Sequence, residues 1–107
     1  MANHLIFDSR AEADKTIPLN TIRKIKLEGK LYALAKTPNG FKTFSLVCPH
    51  AGADLSQGKI NHLGEVVCPL HAYIFNLLDG EEMSRRCLPV KVYSTFWDDE
   101  KLYVAIK

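Results

Sequence analysis

The chain has 107 residues, 47% of them hydrophobic, with 14 Lys and Arg against 12 Asp and Glu for a formal charge of +2. That length suits one domain with one modest core, and so small and dispersed a charge argues against a nucleic-acid partner. No window approaches the roughly 18 apolar residues of a membrane span, and Met1 to Arg10 lacks the basic start and apolar run of a secretion signal, so a cytoplasmic protein with no membrane span is expected.

In chain order the signals are mostly those of β-structure. His4 to Phe7 reads as a short apolar opening strand. Residues 8–20 are polar and irregular, with Ala11 to Lys15 as one helical turn that Pro18 ends. Ile22, Ile25 and Leu27 alternate loosely with basic residues, as in a half-buried strand. Glu28-Gly29 turns it into a second strand, Leu31 to Lys36, and Pro38-Asn39-Gly40 turns that into a third, Phe41 to Val47.

A small, polar loop follows, Ala51-Gly52-Ala53-Asp54 and Ser56-Gln57-Gly58, with Asp54 placed to cap it. Lys59-Ile60 and Glu65-Val66-Val67 form a short hairpin across Asn61-His62-Leu63-Gly64. Tyr73 to Leu77 reads as a strand and Asp79-Gly80 as a turn. Leu88 to Tyr93, Thr95 to Trp97 and Leu102 to Ile106 close the sheet, the last two joined by the tight turn Asp98-Asp99-Glu100-Lys101. No window carries the length and 3.6 period of a substantial helix. The expected class is all-β, a small antiparallel sandwich or barrel. Phe44, Phe96 and Trp97 are expected in its core, Cys87 as a small buried hydrophobe in a strand, and His4 and His62 at the surface or in strands without a ligand role.

The chemistry concentrates in two short clips, Cys48-Pro49-His50 and Cys68-Pro69-Leu70-His71. Each puts a cysteine and a histidine in one loop, and in each the proline after the cysteine fixes φ and stiffens the loop. The hairpin between them can fold back so that the loops meet, offering two sulfur and two nitrogen donors to a metal. Three cysteines in a reducing compartment leave two for such a site and one spare. Structural zinc with this donor set pairs cysteine with cysteine and histidine with histidine along the chain, whereas here the types are interleaved. The alternative is a two-iron cluster, with two cysteines on one iron and two histidines on the other.

The run Cys48-Pro49-His50-Ala51-Gly52-Ala53-Asp54-Leu55 to Gly58, then Cys68-Pro69-Leu70-His71, Phe75 and Gly80, resembles the Rieske [2Fe–2S] family. It is most similar to the small soluble Rieske ferredoxins and to the small subunit of nitrite reductase, and the likeness extends over nearly the whole chain. The resemblance implies a single domain over residues 1–107, with a cluster-binding subdomain of two loops at about 46–79 inserted into a base of 1–45 and 80–107. It implies one [2Fe–2S] cluster, with Cys48 and Cys68 on a buried iron and His50 and His71 on an outer iron near the surface. Two thiolates in place of four make the site less negative and raise its potential above that of an all-cysteine cluster.

The implied function is a one-electron carrier without catalytic activity of its own, passing electrons from a ferredoxin reductase to a terminal oxygenase or similar enzyme. The small subunit of a nitrite reductase-like complex and a zinc-stabilised binding module are the alternatives. Pro49 and Leu70 flank the histidines and would form an apolar docking ring, and Arg85 and Arg86, in a segment resembling the third loop over Rieske clusters, would steer an acidic partner.

The departures from the family pattern carry their own expectations. Ala53 and Leu70 stand where high-potential members carry a disulfide, and Tyr73 and Phe75 where those members carry a serine and a tyrosine that hydrogen-bond the site. Fewer donors imply a potential low in the Rieske range. Ala72 replaces the glycine that usually follows the second histidine, so φ is expected to be negative there.

Overall fold

The computed structural model describes residues 2–106; among them lie ten strands, one α-helix and one 3₁₀ turn. In chain order these are β1 (Ala2–Phe7), α1 (Arg10–Thr16), β2 (Thr21–Leu27), β3 (Lys30–Thr37), β4 (Gly40–Ser45), the 3₁₀ turn (Leu55–Gln57), β5 (Lys59–Ile60), β6 (Val66–Val67), β7 (Ile74–Phe75), β8 (Val92–Tyr93), β9 (Thr95–Asp98) and β10 (Lys101–Ile106). They form three antiparallel sheets, in the orders β2-β3-β4-β8, β1-β10-β9 and β5-β6-β7. The all-β expectation holds.

β3 is the centre of the molecule. Tyr32 to Ala35 are buried in succession, as in a strand covered on both faces. Side chains alternate across a strand, and the alternation here divides two cores. Ala33 and Ala35, with Ile22 and Phe44 on the neighbouring strands, face one core, which continues through Leu55, Ile60, Val66, Phe75, Leu77 and Val90. Leu34 faces the other, with Phe41 of β4, Ala13 and Ile17 of the helical segment, and Leu102 of β10. The small sheet β5-β6-β7 therefore covers one face of the central sheet, while α1 and β1-β10-β9 cover the other. Buried Thr43 ties the central sheet to β9: its N–H donates to the Thr95 hydroxyl at 3.1 Å.

The helix is longer than the single turn expected. Ser9 caps it, its hydroxyl accepting the Glu12 N–H at 3.0 Å, which is half of a capping box. Ala13 and Ile17 lie four apart on one face and both are buried. Ile17 is extended at φ −121° and ψ 106°, as the residue before a proline prefers, and the helix stops there.

Two expected strands shrink. Tyr73 to Leu77 reduces to β7, because Asn76 turns the chain instead: its N–H bonds to the Glu81 carbonyl and its side chain accepts the Leu78 N–H at 2.6 Å. Leu88 to Tyr93 reduces to β8, and Leu88 is 76% exposed. Cys87 is correspondingly not a buried strand residue; it is half-buried in the loop that precedes β8, packed at the edge of the core under the two clips. Phe96 is half-buried too, stacked on Tyr103 at 5.8 Å, and Trp97 lies partly covered at the edge of the second core under the Arg10 guanidinium.

Gly80 joins this loop to the small sheet. Its N–H bonds to the Asn76 carbonyl at 2.8 Å and its own carbonyl accepts the Val90 N–H at 2.9 Å. Its φ is +82°, and a Cβ there would overlap the Val90 carbonyl oxygen, which is backbone and cannot swing away. Gly80→Ala is therefore expected to cost about 2–4 kcal/mol, from the left-handed penalty and the overlap together. In urea unfolding, Gly40→Ala supplies the control: its φ of +105° carries the backbone penalty, but nothing lies within 4 Å of the added carbon. Equal losses at the two positions would refute the overlap.

Candidate metal centre

The two clips have the same local architecture. Val47 faces Asp54 in an isolated antiparallel bridge, and Val67 faces Ile74 in the β6–β7 ladder. Each pair opens onto a loop whose first residue is a cysteine. The Cys48 N–H donates to the Ala53 carbonyl and the Cys68 N–H to the Tyr73 carbonyl, both at 2.8 Å. The same six-residue closure thus aims both cysteines the same way, down into the core under the central sheet, where they are 1% and 2% exposed.

His50 and His71 take the opposite side of the loops. Both are exposed, and their rings meet edge to face with centroids 5.5 Å apart. Leu70, 48% exposed, and exposed Pro49 stand beside them. His4 and His62 lie apart from this group: His4 faces Glu28 at 3.7 Å, and His62 is exposed in the β5–β6 turn.

The donor set suits a two-metal cluster better than a single ion. The four residues come together as a buried sulfur pair and an exposed nitrogen pair. Among the described residues no three Cys, His, Asp or Glu converge on a point that could hold one metal ion. Tetrahedral zinc needs four donors around one point, whereas a two-iron cluster asks for two donors at each iron. Burial pushes the Cys68 thiol up, as does neighbouring Cys48, although the Leu70 N–H directed at its sulfur works the other way. Thiolates in so apolar a place require a cation to be tolerable.

Asp54 does what the sequence suggested and more. Its carboxylate accepts the Ser56 N–H at 2.8 Å, capping the 3₁₀ turn, and pairs with Lys24 of β2 at 2.8 Å. Burial works to raise its pKa, but the bonds from Lys24 and Ser56 outweigh that and hold it below the usual value. The first clip is thereby tied to the central sheet.

A third loop, 81–91, closes over the second clip. Its anchor is Glu82, which is 1% exposed and bridges to Phe75 of β7. The carboxylate accepts the backbone N–H of Ser84 at 3.2 Å and of Arg86 at 3.0 Å, and a two-pronged contact from the Arg86 guanidinium at 3.0 and 2.8 Å. Arg86 holds the Glu82 carboxyl down to about 2. The Arg86 guanidinium then lies over the Tyr73 ring, and Tyr73 stacks on His50. Glu82 was not singled out in the sequence: it lies in a loop, where a four-residue spacing from Arg86 does not by itself mark a pair.

Ala72 departs from expectation. It is left-handed at φ +53°, directly after His71 at φ +64°, rather than at negative φ. The short closure between Cys68 and Tyr73 imposes this turn on whichever residue stands there.

Comparisons with known proteins agree with this architecture. A family model for the Rieske [2Fe-2S] domain matches residues 9–94. No curated protein matches the sequence. Among solved structures, the ferredoxin of carbazole 1,9a-dioxygenase from Nocardioides aromaticivorans IC177 superposes with a TM-score of 0.81 at 22% identity over 100% of both chains. A chain from a complex of reduced oxygenase and oxidized ferredoxin in carbazole 1,9a-dioxygenase gives 0.72 at 28% identity, over 84% of this chain and 93% of that one. A structure assigned as an NADH-dependent nitrite reductase small subunit from Mycobacterium tuberculosis gives 0.80 at 20% identity, over 99% and 96%.

Two outcomes follow from the loop geometry. Ala72→Gly should stabilise the protein by about 1 kcal/mol in chemical unfolding, since glycine takes positive φ without the Cβ penalty. Glu82 contributes stability that is fully present above its ordinary value of 4.5 and is lost as the pH falls toward about 2. Glu82→Gln should therefore be less stable at neutral pH and lose less on acidification across that window, as read from thermal midpoints at a series of pH values.

Proposed function

The chain belongs to the Rieske [2Fe-2S] domain family, whose cofactor is one [2Fe–2S] cluster, and on that premise we propose that Cys48, Cys68, His50 and His71 hold the cluster in a low-potential one-electron carrier. The observation that carries this reading is the sorting of the four donors: two thiols buried in one apolar core, two imidazoles exposed next to each other. Cys48 and Cys68 would hold the inner iron, His50 and His71 the outer one. When bound, the cluster supplies a site that accepts and returns one electron. The loops exclude water from the sulfur side, and the exposed imidazoles, flanked by Pro49 and Leu70, form the edge closest to an approaching partner. Residues 46–79 would form the cluster-binding part and 1–45 with 80–107 the base, the 81–91 segment reaching back over the site.

A ferredoxin reductase as donor and a terminal oxygenase as acceptor fit the likeness to a carbazole dioxygenase ferredoxin, which matches end to end, and to a ferredoxin chain from an oxygenase complex. A carrier with no catalysis of its own is part of this reading. A second reading, the small subunit of a nitrite reductase-like complex, is favoured by the fold shared with such a subunit. No helix among the described residues is long and apolar enough to cross a membrane; a cytoplasmic location is part of the proposed reading.

The potential should lie low in the family's range. Phe75, fully buried at the position where high-potential members carry a hydrogen-bonding tyrosine, has no hydroxyl, and Ala53 and Leu70 allow no disulfide across the loops. Fewer donors toward the sulfurs stabilise the reduced form less.

Iron and sulfide analysis of the purified protein is expected to give about two of each per chain, with a visible spectrum and, on reduction, an EPR signal. Cys68→Ser should abolish both signals, and a colourless protein carrying only zinc would overturn the proposal. The potential should fall near about −150 mV; a value above about +100 mV would contradict the low-donor argument. Reduction of the isolated protein by a ferredoxin reductase favours the carrier, and obligate co-purification with a larger reductase subunit favours the second reading.

A further inference from the structure

His50 is held by a stack that the ligand assignment does not use. The Arg86 guanidinium carbon lies 3.8 Å from the Tyr73 ring centroid. On its other side Tyr73 lies 3.8 Å from the His50 ring centroid, within 11° of parallel. Arg86 is itself fixed, because both of its prongs end on the buried Glu82 carboxylate. The order from core to surface is thus anion, cation, tyrosine, histidine. A guanidinium over an aromatic face is attractive. A planar fork is also the side chain suited to binding a carboxylate at its edge while stacking on a ring with its face.

We propose that Arg86 and Tyr73 are positioning residues for His50, fixing the plane of its ring and turning the positive end of the Glu82–Arg86 ion pair toward the outer end of the site. This rests on the reading of His50 as a cluster ligand. Metal-bound histidines are commonly oriented by a hydrogen bond at the other ring nitrogen; here a ring clamp supplies the orientation, leaving the exposed edge of His50 open. Tyrosine at position 73, where high-potential members carry serine, then has a reason. Tyrosine is not a failed replacement for a serine donor: it has the flat face that histidine and guanidinium can share. It also gives the Glu82 network, distant from the cysteines in sequence, a route to the electronic properties of the site. Removing the positive end should make the reduced form harder to reach.

The test uses the cluster-loaded protein and four variants. Tyr73→Leu removes the shared face and Tyr73→Phe keeps it. Glu82→Gln with Arg86→Met removes both charges, so that no lone carboxylate is left buried. Arg86→Lys keeps the charge without the planar fork. Potentiometric titration, EPR of the reduced protein and iron release to a chelator are read together. Tyr73→Leu and the double variant are expected to lower the reduced-to-oxidised ratio at a fixed ambient potential by about threefold, ~28 mV at 59 mV per decade for one electron. Their g-values should shift and iron release should quicken, while Tyr73→Phe stays at wild type and Arg86→Lys falls between. Loss of the cluster in Tyr73→Leu with retention in Tyr73→Phe also supports the clamp. Wild-type ratio and g-values in Tyr73→Leu, or equal changes in Tyr73→Phe and Tyr73→Leu, overturn it. A wild-type protein that binds no iron overturns the proposed function instead, and is told apart by the iron analysis.

Discussion

Two thiols buried in the same apolar core that joins the sheets are the constraint on which this molecule turns. Cys48 and Cys68 pack with Phe44, Leu55, Val66 and Phe75, so the base of the site and the core of the fold are one set of atoms. Neutral thiols sit comfortably there, whereas thiolates do so only with a metal to neutralise them. A cluster held by Cys48 and Cys68, as proposed, would couple its binding to folding through those two side chains. The central sheet supplies the floor: Ala33 and Ala35 leave room above β3 for the small sheet to settle closely, and bulky Phe44 fills the space beside them.

The outer half of the site is built by different means. His50 and His71 are solvent-exposed, so apolar burial cannot position them. Polar links do so instead. Lys24 to Asp54 ties the first clip to β2, and Glu82 to Arg86 ties the third loop to the Tyr73 face on which His50 rests. Exposed ion pairs are weak, but a carboxylate buried with several N–H donors and a two-pronged guanidinium is not. Two left-handed residues in succession, His71 and Ala72, are the cost of closing the second loop in so few residues, and the ladder on both sides holds them there.

Much of the fold was legible in local pattern. The meander β2-β3-β4 showed as alternating or continuous apolar runs broken by Glu28-Gly29 and Pro38-Asn39-Gly40, and those turn residues act at short range. The paired clips were visible because their spacing is itself local. The helix was under-read, although Ser9 and Glu12 carry its cap signal, because the segment has only two buried residues to mark a period. Between Tyr73 and Tyr93 the turn at Asp79-Gly80 was legible, but the two strands were read too long for a physical reason. The β-favouring residues there suggested long strands, but the Asn76 and Glu82 side chains draw backbone N–H groups into turns, and side-chain capping competes with ladder pairing without changing the apolar pattern.

By itself, the sequence determined the all-β class, the position of the two loops and the identity of the candidate donors, because periodicity, turn chemistry and ligand type are properties of neighbours along the chain. Only the tertiary structure decided which donors are buried and which exposed, the left-handed turn at Ala72, the half-buried place of Cys87, and the stack from Glu82 to His50. Each of these depends on residues that meet through the packing of one sheet on another, and the free energy of such meetings is set by burial and by ring and charge geometry across space, which no spacing along the chain records.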